Sequence, residues 1–374
     1  MKGENFNKPG HKPRVLVAPL EWGLGHATRC IPIITSLLQH DCEVIIAAEG
    51  GCRRLLQEEF PSLSYCDIKG YRMRYSRKKF WLPAKLLIQF PKIILSIYTE
   101  HRWLKKIAKQ YDIDAVISDN RFGMYHSALP CIYITHQLKI KTGNRFTEWL
   151  AQKIHYRFIN KYKECWVPDT KEGDNLAGEL SHPDILPHAP VIYLGPLSRF
   201  ERSNAEIRYD LAIILSGPEP QRTLFEEIIL KDLRSFKGKA LLVRGLPGKS
   251  LALPGQSSPV EIHDHLPAAE LNRVILQSDL VISRCGYTTV MDLVKLQKKA
   301  ILVPTPGQTE QEYLARYLMT RKYFFCIDQQ EFSLSHVLKD AADFSFNKTG
   351  FQHNAYVSVI QGFIKKYLGN GEDQ

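Results

Sequence analysis

Short runs of branched apolar residues alternate with longer amphipathic stretches along most of this chain, and no other feature limits its fold so strongly. Arg14–Ala18, Glu43–Ala47, Leu63–Cys66, Asp114–Ser118, Cys131–Thr135 and Cys165–Val167 read as strands. Helices are expected over Ala27–His40, Arg53–Glu59 and Phe146–Lys161, with a further one over Lys92–Gln110, begun by Pro91 and amphipathic through Ile93, Ile97, Leu104 and Ile107. Val191–Ser198 and the polar stretch to Asp210 read as a linker. A second series opens at Leu211–Leu215 and runs to about Cys326, and a last helix is expected over Phe351–Tyr367. Such alternation builds parallel sheets covered by helices on both faces, here twice. The expectation is an α/β chain of two doubly wound domains, 1–198 and 199–350, followed by a closing segment 351–374.

Composition narrows the function. The 374 residues, 44% hydrophobic, can fill two cores. Eight cysteines without a CxxC pair read as reduced, buried thiols of a cytoplasmic protein, which excludes a disulfide frame or a cysteine-based zinc site. The polar first thirteen residues lack a signal-peptide core, and no run attains the ~18 apolar residues that span a bilayer. The net charge of +11 is concentrated: residues 69–109 hold twelve Lys/Arg against one acid, Glu100. Tyr71, Tyr75, Phe80, Trp81, Leu86, Leu87, Ile88 and Phe90 are interleaved. Basic residues mixed with aromatics suit an anionic membrane surface, at about 1 kcal/mol per basic residue near it, although a solvated basic helix would carry the same composition. No nucleic-acid module is visible, so nucleic acid is not an expected partner.

The segment Val281–Asp292, VISRCGYTTVMD, reads as a buried strand, a turn at Gly286 and a helix opened by Thr288-Thr289. Glycine lets a phosphate come close to the main chain, and the free N–H groups of a new helix favour negative charge. Asp292, four residues beyond Thr288, is positioned for a neighbouring diol, unless it is a plain surface acid. Next comes Ala300–Gln308, a strand and loop, followed by Thr309-Glu310-Gln311-Glu312. Thr309 with Glu312 forms a capping box, which leaves Glu310 and Gln311 either to grip sugar hydroxyls or simply to complement the helix dipole.

These pieces resemble the carboxy-terminal domain of family 28 glycosyltransferases, GT-B enzymes related to the one that adds N-acetylglucosamine to the undecaprenyl-linked peptidoglycan precursor. The matching residues are Ser283-Arg284-x-Gly286-x-x-Thr289-x-x-Asp292, Ile301-x-Val303-Pro304 and Glu310-Gln311-x-x-x-Ala315. The resemblance implies two Rossmann-like domains facing a cleft, with the last helix returning to the first domain. It puts Gly286 and Thr288 at the donor pyrophosphate, Asp292 at the ribose, where the family usually has Glu, and Glu310-Gln311 at the donor sugar. Arg284 and Thr289 belong to the same donor motif. Ser216 and Gly217, in a strand-to-helix loop matching the family's first donor loop, would contact phosphates, with Arg222 as a further candidate. Leu266 falls where the family binds the base through main-chain groups.

In the first domain, Glu21-Trp22-Gly23-Leu24-Gly25-His26 follows the first strand and opens the first helix. The positive helix end keeps His26 neutral near pH 7, as suits a general base in a glycine-lined loop. The same Gly-x-Gly-His element occurs in the first loop of GT-B transferases, placing Gly23 and Gly25 beside the acceptor. Asp119, ending the strand Asp114–Ser118, orients His26 or an acceptor hydroxyl; which of His26 and Asp119 is the base stays open. Arg121 is expected at an acceptor phosphate, and His136 either lines the same pocket or sits at the core edge. Pro247-Gly248-Lys249-Ser250 is not a phosphate loop, because Val243 stands where glycine is required. His263-Asp264-His265 lacks a third convergent ligand, so no metal is expected. No cofactor is expected either, the nucleotide sugar being a substrate.

The combined expectation is an inverting, metal-independent hexosyltransferase using a UDP-sugar donor and a lipid-linked or glycan acceptor. The chain would be cytoplasmic, docked on the inner face of the membrane through 69–109 and serving the cell envelope. Two alternatives are a sugar-nucleotide epimerase of the same fold and a non-catalytic nucleotide-sugar-binding module at the membrane. The identity of the sugar and acceptor and the oligomeric state are not legible.

Overall fold

The computed structural model describes residues 12–70, 82–246 and 260–369, with the backbone alone over 82–90. Residues 71–81 of the basic segment and the loop 247–250 lie outside the described residues. The chain divides into two units, residues 1–197 with 352–374, and residues 198–351.

The first unit is built on β1 (Arg14–Pro19), α1 (Gly25–Gln39), β2 (Glu43–Ala47), α2 (Gly50–Glu59), β3 (Ser64–Cys66), α3 (Leu82–Gln110), β4 (Ala115–Asp119), β5 (Cys131–Ile134), α4 (Arg145–Ile159), β6 (Glu164–Val167) and β7 (Val191–Tyr193). Its seven strands are parallel in the order β3-β2-β1-β4-β5-β6-β7. β4, β5 and β6 are buried along their whole length, as expected for strands covered on both faces. Two elements differ from the expectation. Val191–Tyr193, read as linker, is a strand on β6. The long helix begins at Leu82 and continues through Pro91. A proline inside a helix removes one backbone bond and crowds the preceding turn, but buried anchors further along (Ile97, Leu104, Ile107) hold the helix to the sheet.

The second unit holds β8 (Tyr209–Ile214), α5 (Gln221–Leu233), β9 (Ala240–Val243), β10 (Val260–His263), α6 (Ala268–Leu276), β11 (Ser278–Arg284), α7 (Tyr287–Leu296), β12 (Lys299–Val303), α8 (Thr309–Thr320), β13 (Phe325–Cys326) and α9 (Leu334–Asp343). Its parallel order is β10-β9-β8-β11-β12-β13. The last helix, α10 (Ala355–Tyr367), belongs to the first unit. There the buried Glu164 carboxylate accepts from Lys366 Nζ at 2.8 Å and Tyr367 Oη at 3.0 Å, while Phe363 meets Trp166 edge-on.

Both sheets reverse their strand order once, between β1 and β4 and between β8 and β11. Chains leaving those neighbouring strands diverge to opposite sides, so a crevice opens outside their carboxyl ends. Gly23, Gly25, His26 and Asp119 follow or end β1 and β4, and Ser216, Gly217, Gly286, Thr288 and Thr289 follow β8 and β11.

Candidate functional site

In the first unit, β1 leads through Gly23, whose φ of +87° suits glycine, to His26 on the first turn of α1. β4 ends on Asp119, fully buried. His26 Nδ1 lies 3.1 Å from Asp119 Oδ1. Arg29, one turn beyond His26 and buried, joins them: its Nε donates to Asp119 Oδ2 at 2.6 Å and its Nη2 to Oδ1. Nη2 also stands 2.8 Å from His26 Nδ1, and Nη1 lies 3.1 Å from Nδ1 of the buried His136. Sequence reading missed Arg29, although its i+3 spacing puts it on the same helix face as His26.

The charges in this cluster set one another. Burial would push the Asp119 carboxyl up, but the Arg29 guanidinium, helped by His26, holds it well below the usual carboxylate range. Burial first, and then Arg29, pull His26 below its ordinary value against the opposing pull of Asp119. The neutrality expected from the helix end therefore has mainly another source.

Arg121 does not fit an acceptor-phosphate role. Its buried side chain donates to Glu100 Oε1 at 2.9 Å, to the carbonyl of Pro19 at 3.2 Å and to that of Lys69 at 2.8 Å. The lone acid of the basic segment is thus its buried partner. His136 faces Arg29 from inside the unit and is the core-edge histidine of the two readings.

In the second unit, Ser216 and Gly217 lie exposed just past β8, with φ of +104° at Gly217, where any side chain would strain the loop. Gly286 is the N-cap of α7, with Thr288 and Thr289 on its first turn. Its φ of −81° is open to any residue, so the sharp turn expected there is absent. What glycine supplies is room: a Cβ would meet only Thr289 Oγ1, at 3.9 Å. A Cβ on Gly217 would stand 3.9 Å from Thr305 Oγ1, a buried hydroxyl with no hydrogen-bond partner. Thr305 was not singled out from the sequence. Room above the α7 N-terminus, and a Gly217 backbone beside a buried hydroxyl without a partner, are each features that suit an anion.

Three donor-site expectations change. The buried Arg284 guanidinium donates to the carbonyls of Pro304 and Gln221 and to Gln329 Oε1, and lies 4.3 Å above the Phe225 ring. Burial lowers its pKa to about 10. It ties loops together from inside. Arg222 is engaged by Glu219 and Glu226, and Glu226 continues to Arg244 and Asp264 in one ion-pair network. Gln311 accepts from the Thr305 N–H at 2.9 Å and donates to Gln308 Oε1, so it braces the loop before α8. The N-cap of α8 is Gln308, with Thr309 the first helical residue, and Glu312 accepts from the Gly307 N–H at 3.0 Å, which moves the expected capping box back along the chain.

Asp292 accepts from Ser198 Oγ at 2.6 Å. Burial raises its pKa to about 6, with Ser198 and Arg199 pulling the other way. Leu266 is buried ahead of α6, and Glu310 is half-buried on the first turn of α8. Among the described residues, no three His, Cys, Asp or Glu side chains come together to hold a metal ion.

Two helices of the first unit carry exposed apolar side chains. Leu95 (63% exposed), Ile94 and Tyr98 project from α3 among Lys92, Arg102, Lys105 and Lys106. Phe146 (68%), Trp149 and Leu150 project from the first turns of α4, with Lys153 Nζ 4.0 Å above the Trp149 ring. Among the described residues no helix is long and apolar enough to cross a membrane.

Comparison with known proteins gives these features a context. Residues 253–356 match the glycosyltransferase family 28 C-terminal domain. No curated protein matches the sequence. Among solved structures, the calicheamicin glycosyltransferase CalG4 superposes with a TM-score of 0.63 at 11% identity, over 96% of this chain and 96% of that one. MurG of Acinetobacter baumannii gives 0.52 at 13% identity, over 96% and 95%. A putative UDP-N-acetylglucosamine 2-epimerase from Listeria monocytogenes gives 0.59 at 12%, over 96% and 97%. Likeness at such identity is likeness of fold, and the fold is GT-B.

Proposed function

We propose that this chain, a glycosyltransferase of GT-B fold with a family 28 carboxy-terminal domain, moves a hexose or N-acetylhexosamine from a UDP-sugar to a lipid-linked or glycan acceptor. The observation that carries the reading is the family 28 match at residues 253–356, which includes Gly286 at the start of α7 and the buried Thr305 hydroxyl beside Gly217. The second unit holds the donor, with Ser216, Gly217, Gly286, Thr288 and Thr289 around the diphosphate. The free Asp292 oxygen is left for the ribose and Glu310 for the sugar.

The acceptor hydroxyl attacks the anomeric carbon, and its proton passes to His26. The bond from that carbon to the diphosphate breaks with inversion. Charge growing on the leaving diphosphate is met by main-chain N–H groups and hydroxyls already in position, which do the work of a metal ion. Asp119 accepts a hydrogen bond from the Nδ1–H of His26 and steadies the imidazolium as it forms, without taking the proton.

Purified protein is expected to glycosylate a polyprenyl-linked acceptor from a UDP-sugar with a chelator present, read as labelled lipid product. Loss of all turnover on chelation would remove the metal-independent route. The fold is shared with an epimerase, and an epimerised free nucleotide sugar made without acceptor would replace transfer by isomerisation. Tight donor binding without turnover on lipid extracts would leave a binding module.

The acceptor is membrane-borne on this reading, and the chain meets the inner leaflet through the apolar and basic side chains of α3 and α4. Exposed apolar groups ringed by Lys and Arg combine burial in the headgroup layer with attraction to anionic lipid. The double variant Leu95→Glu, Trp149→Glu is expected to lose co-sedimentation with phosphatidylserine vesicles while keeping its melting temperature, because both side chains are exposed. Unchanged sedimentation would discard this face as the docking surface.

A further inference from the structure

The ring of His26 is caught between two groups that make opposite demands on one nitrogen. Nδ1 lies 2.8 Å from Arg29 Nη2 and 3.1 Å from Asp119 Oδ1. A guanidinium only donates hydrogen bonds and an ionised carboxylate only accepts them. Nδ1 must be bare to satisfy Arg29 and protonated to satisfy Asp119, and a neutral imidazole cannot be both. Nη2 carries two hydrogens, and Asp119 Oδ1 and Nδ1 both lie within reach of them, so it can donate one to each. A proton on Nδ1 would instead be set against a hydrogen of Nη2.

Arg29 is not placed to drift away. Its side chain is 2% exposed, its Nε is bonded to Asp119 Oδ2 at 2.6 Å, and its Nη1 lies 3.1 Å from His136 Nδ1. The shorter of the two contacts to His26 is the one to Arg29, and the carboxylate is already served by two guanidinium nitrogens.

We infer that Arg29 is a positioning residue that stores His26 as its Nε2–H tautomer in the resting protein, so that the ring becomes a base only once Nη2 releases Nδ1 to Asp119. In the stored form Nε2 presents a hydrogen, and no lone pair, to an incoming hydroxyl. Arming moves no net charge: Nε2 gives its proton to water, and Nδ1 takes one from water and keeps it, donating a hydrogen bond to Asp119 Oδ1. Through this exchange Arg29 keeps its Nε bond to Asp119 Oδ2 and its contact with His136. The charged and titratable groups acting on His26 are Arg29 from its own helix, Asp119 from the end of β4 and His136 from beyond β5. With the donor bound and no acceptor present, a stored base also protects the donor from attack by water.

The consequence for catalysis rests on the proposed base role of His26, but the tautomer does not. The deciding measurement is the 15N spectrum of the full chain labelled at histidine, without substrate, with His26→Gln identifying the resonance. The wild-type ring is expected to show a bare Nδ1 and a protonated Nε2, whereas a protonated Nδ1 would overturn the inference. In Arg29→Lys a single point charge replaces the planar fork and cannot serve Asp119, His26 and His136 together. There the ring is expected to shift to the Nδ1–H form, and an unchanged spectrum in folded Arg29→Lys protein would show that Arg29 does not set it. If Arg29→Lys fails to fold by circular dichroism, the wild-type spectrum decides alone. Hydrolysis of the UDP-sugar without acceptor is expected to rise several-fold in Arg29→Lys. That readout fails along with the transferase reading, while the spectrum stands apart from it.

Discussion

Asp119→Ala is expected to lower the stability of the first unit by about 3–5 kcal/mol, the cost of stripping one partner from a buried ion pair. The side chain is fully buried and is contacted by Arg29, His26 and the Cys30 thiol. Without it the Arg29 charge is left in the interior, and few domains hold more than roughly 5–15 kcal/mol in total. Denaturant midpoints measure the loss. A variant within about 1 kcal/mol of the wild type would mean that the pair is not structural. The double variant Arg29→Met, Asp119→Leu, which removes both charges, is expected to recover most of the loss, since apolar replacements of buried pairs are often neutral.

The same cluster sets the acid side of the stability curve. Asp119 has a folded pKa below its unfolded value, so its contribution is complete above about pH 4 and is lost as the pH falls further. His26 is also lowered, and His155 is lowered to about 4 by burial among Phe122 and Tyr133, its Nδ1 without a partner. For both histidines the unfolded chain takes up its proton first, near pH 6.5, so stability falls from there downward. His155 alone accounts for roughly 3 kcal/mol by pH 4. Asp119→Ala should keep the upper part of this decline and lose the lower part.

How much of this was legible in the sequence depends on the distance between partners. The two sheets were legible because strands buried on both faces are written as continuous apolar runs, and the turn after each is marked by glycine or proline. β7 was not, since three residues ahead of Gly195-Pro196 look the same as a linker until β6 lies beside them. Arg121, Arg222 and Arg284 read as anion binders because an arginine beside a glycine-rich loop usually is one. Their carboxylate and carbonyl partners include groups 4 to 102 residues away in the chain, and only folding brings the distant ones together. Gly286 was found for the wrong physical reason: its backbone is ordinary, and the empty space above the helix end is what matters. Arg29 was missed because a charged residue in an amphipathic helix is read as solvated unless the facing strand is known to end in an acid.

His26→Ala is expected to lower the transfer rate by roughly 10²–10⁴, the usual contribution of a positioned base, with donor affinity unchanged because the proposed donor groups all lie in the second unit. Steady-state transfer measures the rate and thermal shift with UDP the affinity. The pH profile then separates the two candidate bases. Asp119, held far below the usual carboxylate range by Arg29, is too weak a base to draw a proton from an alcohol, whereas His26 is neutral and basic at pH 7. With His26 as base, the acid limb of kcat/KM falls below pH 6.5, on the low side of a free imidazole, because burial and Arg29 both disfavour its proton. Full transfer by His26→Ala, with an acid limb below pH 4, would hand the role to Asp119 and leave the histidine to position it.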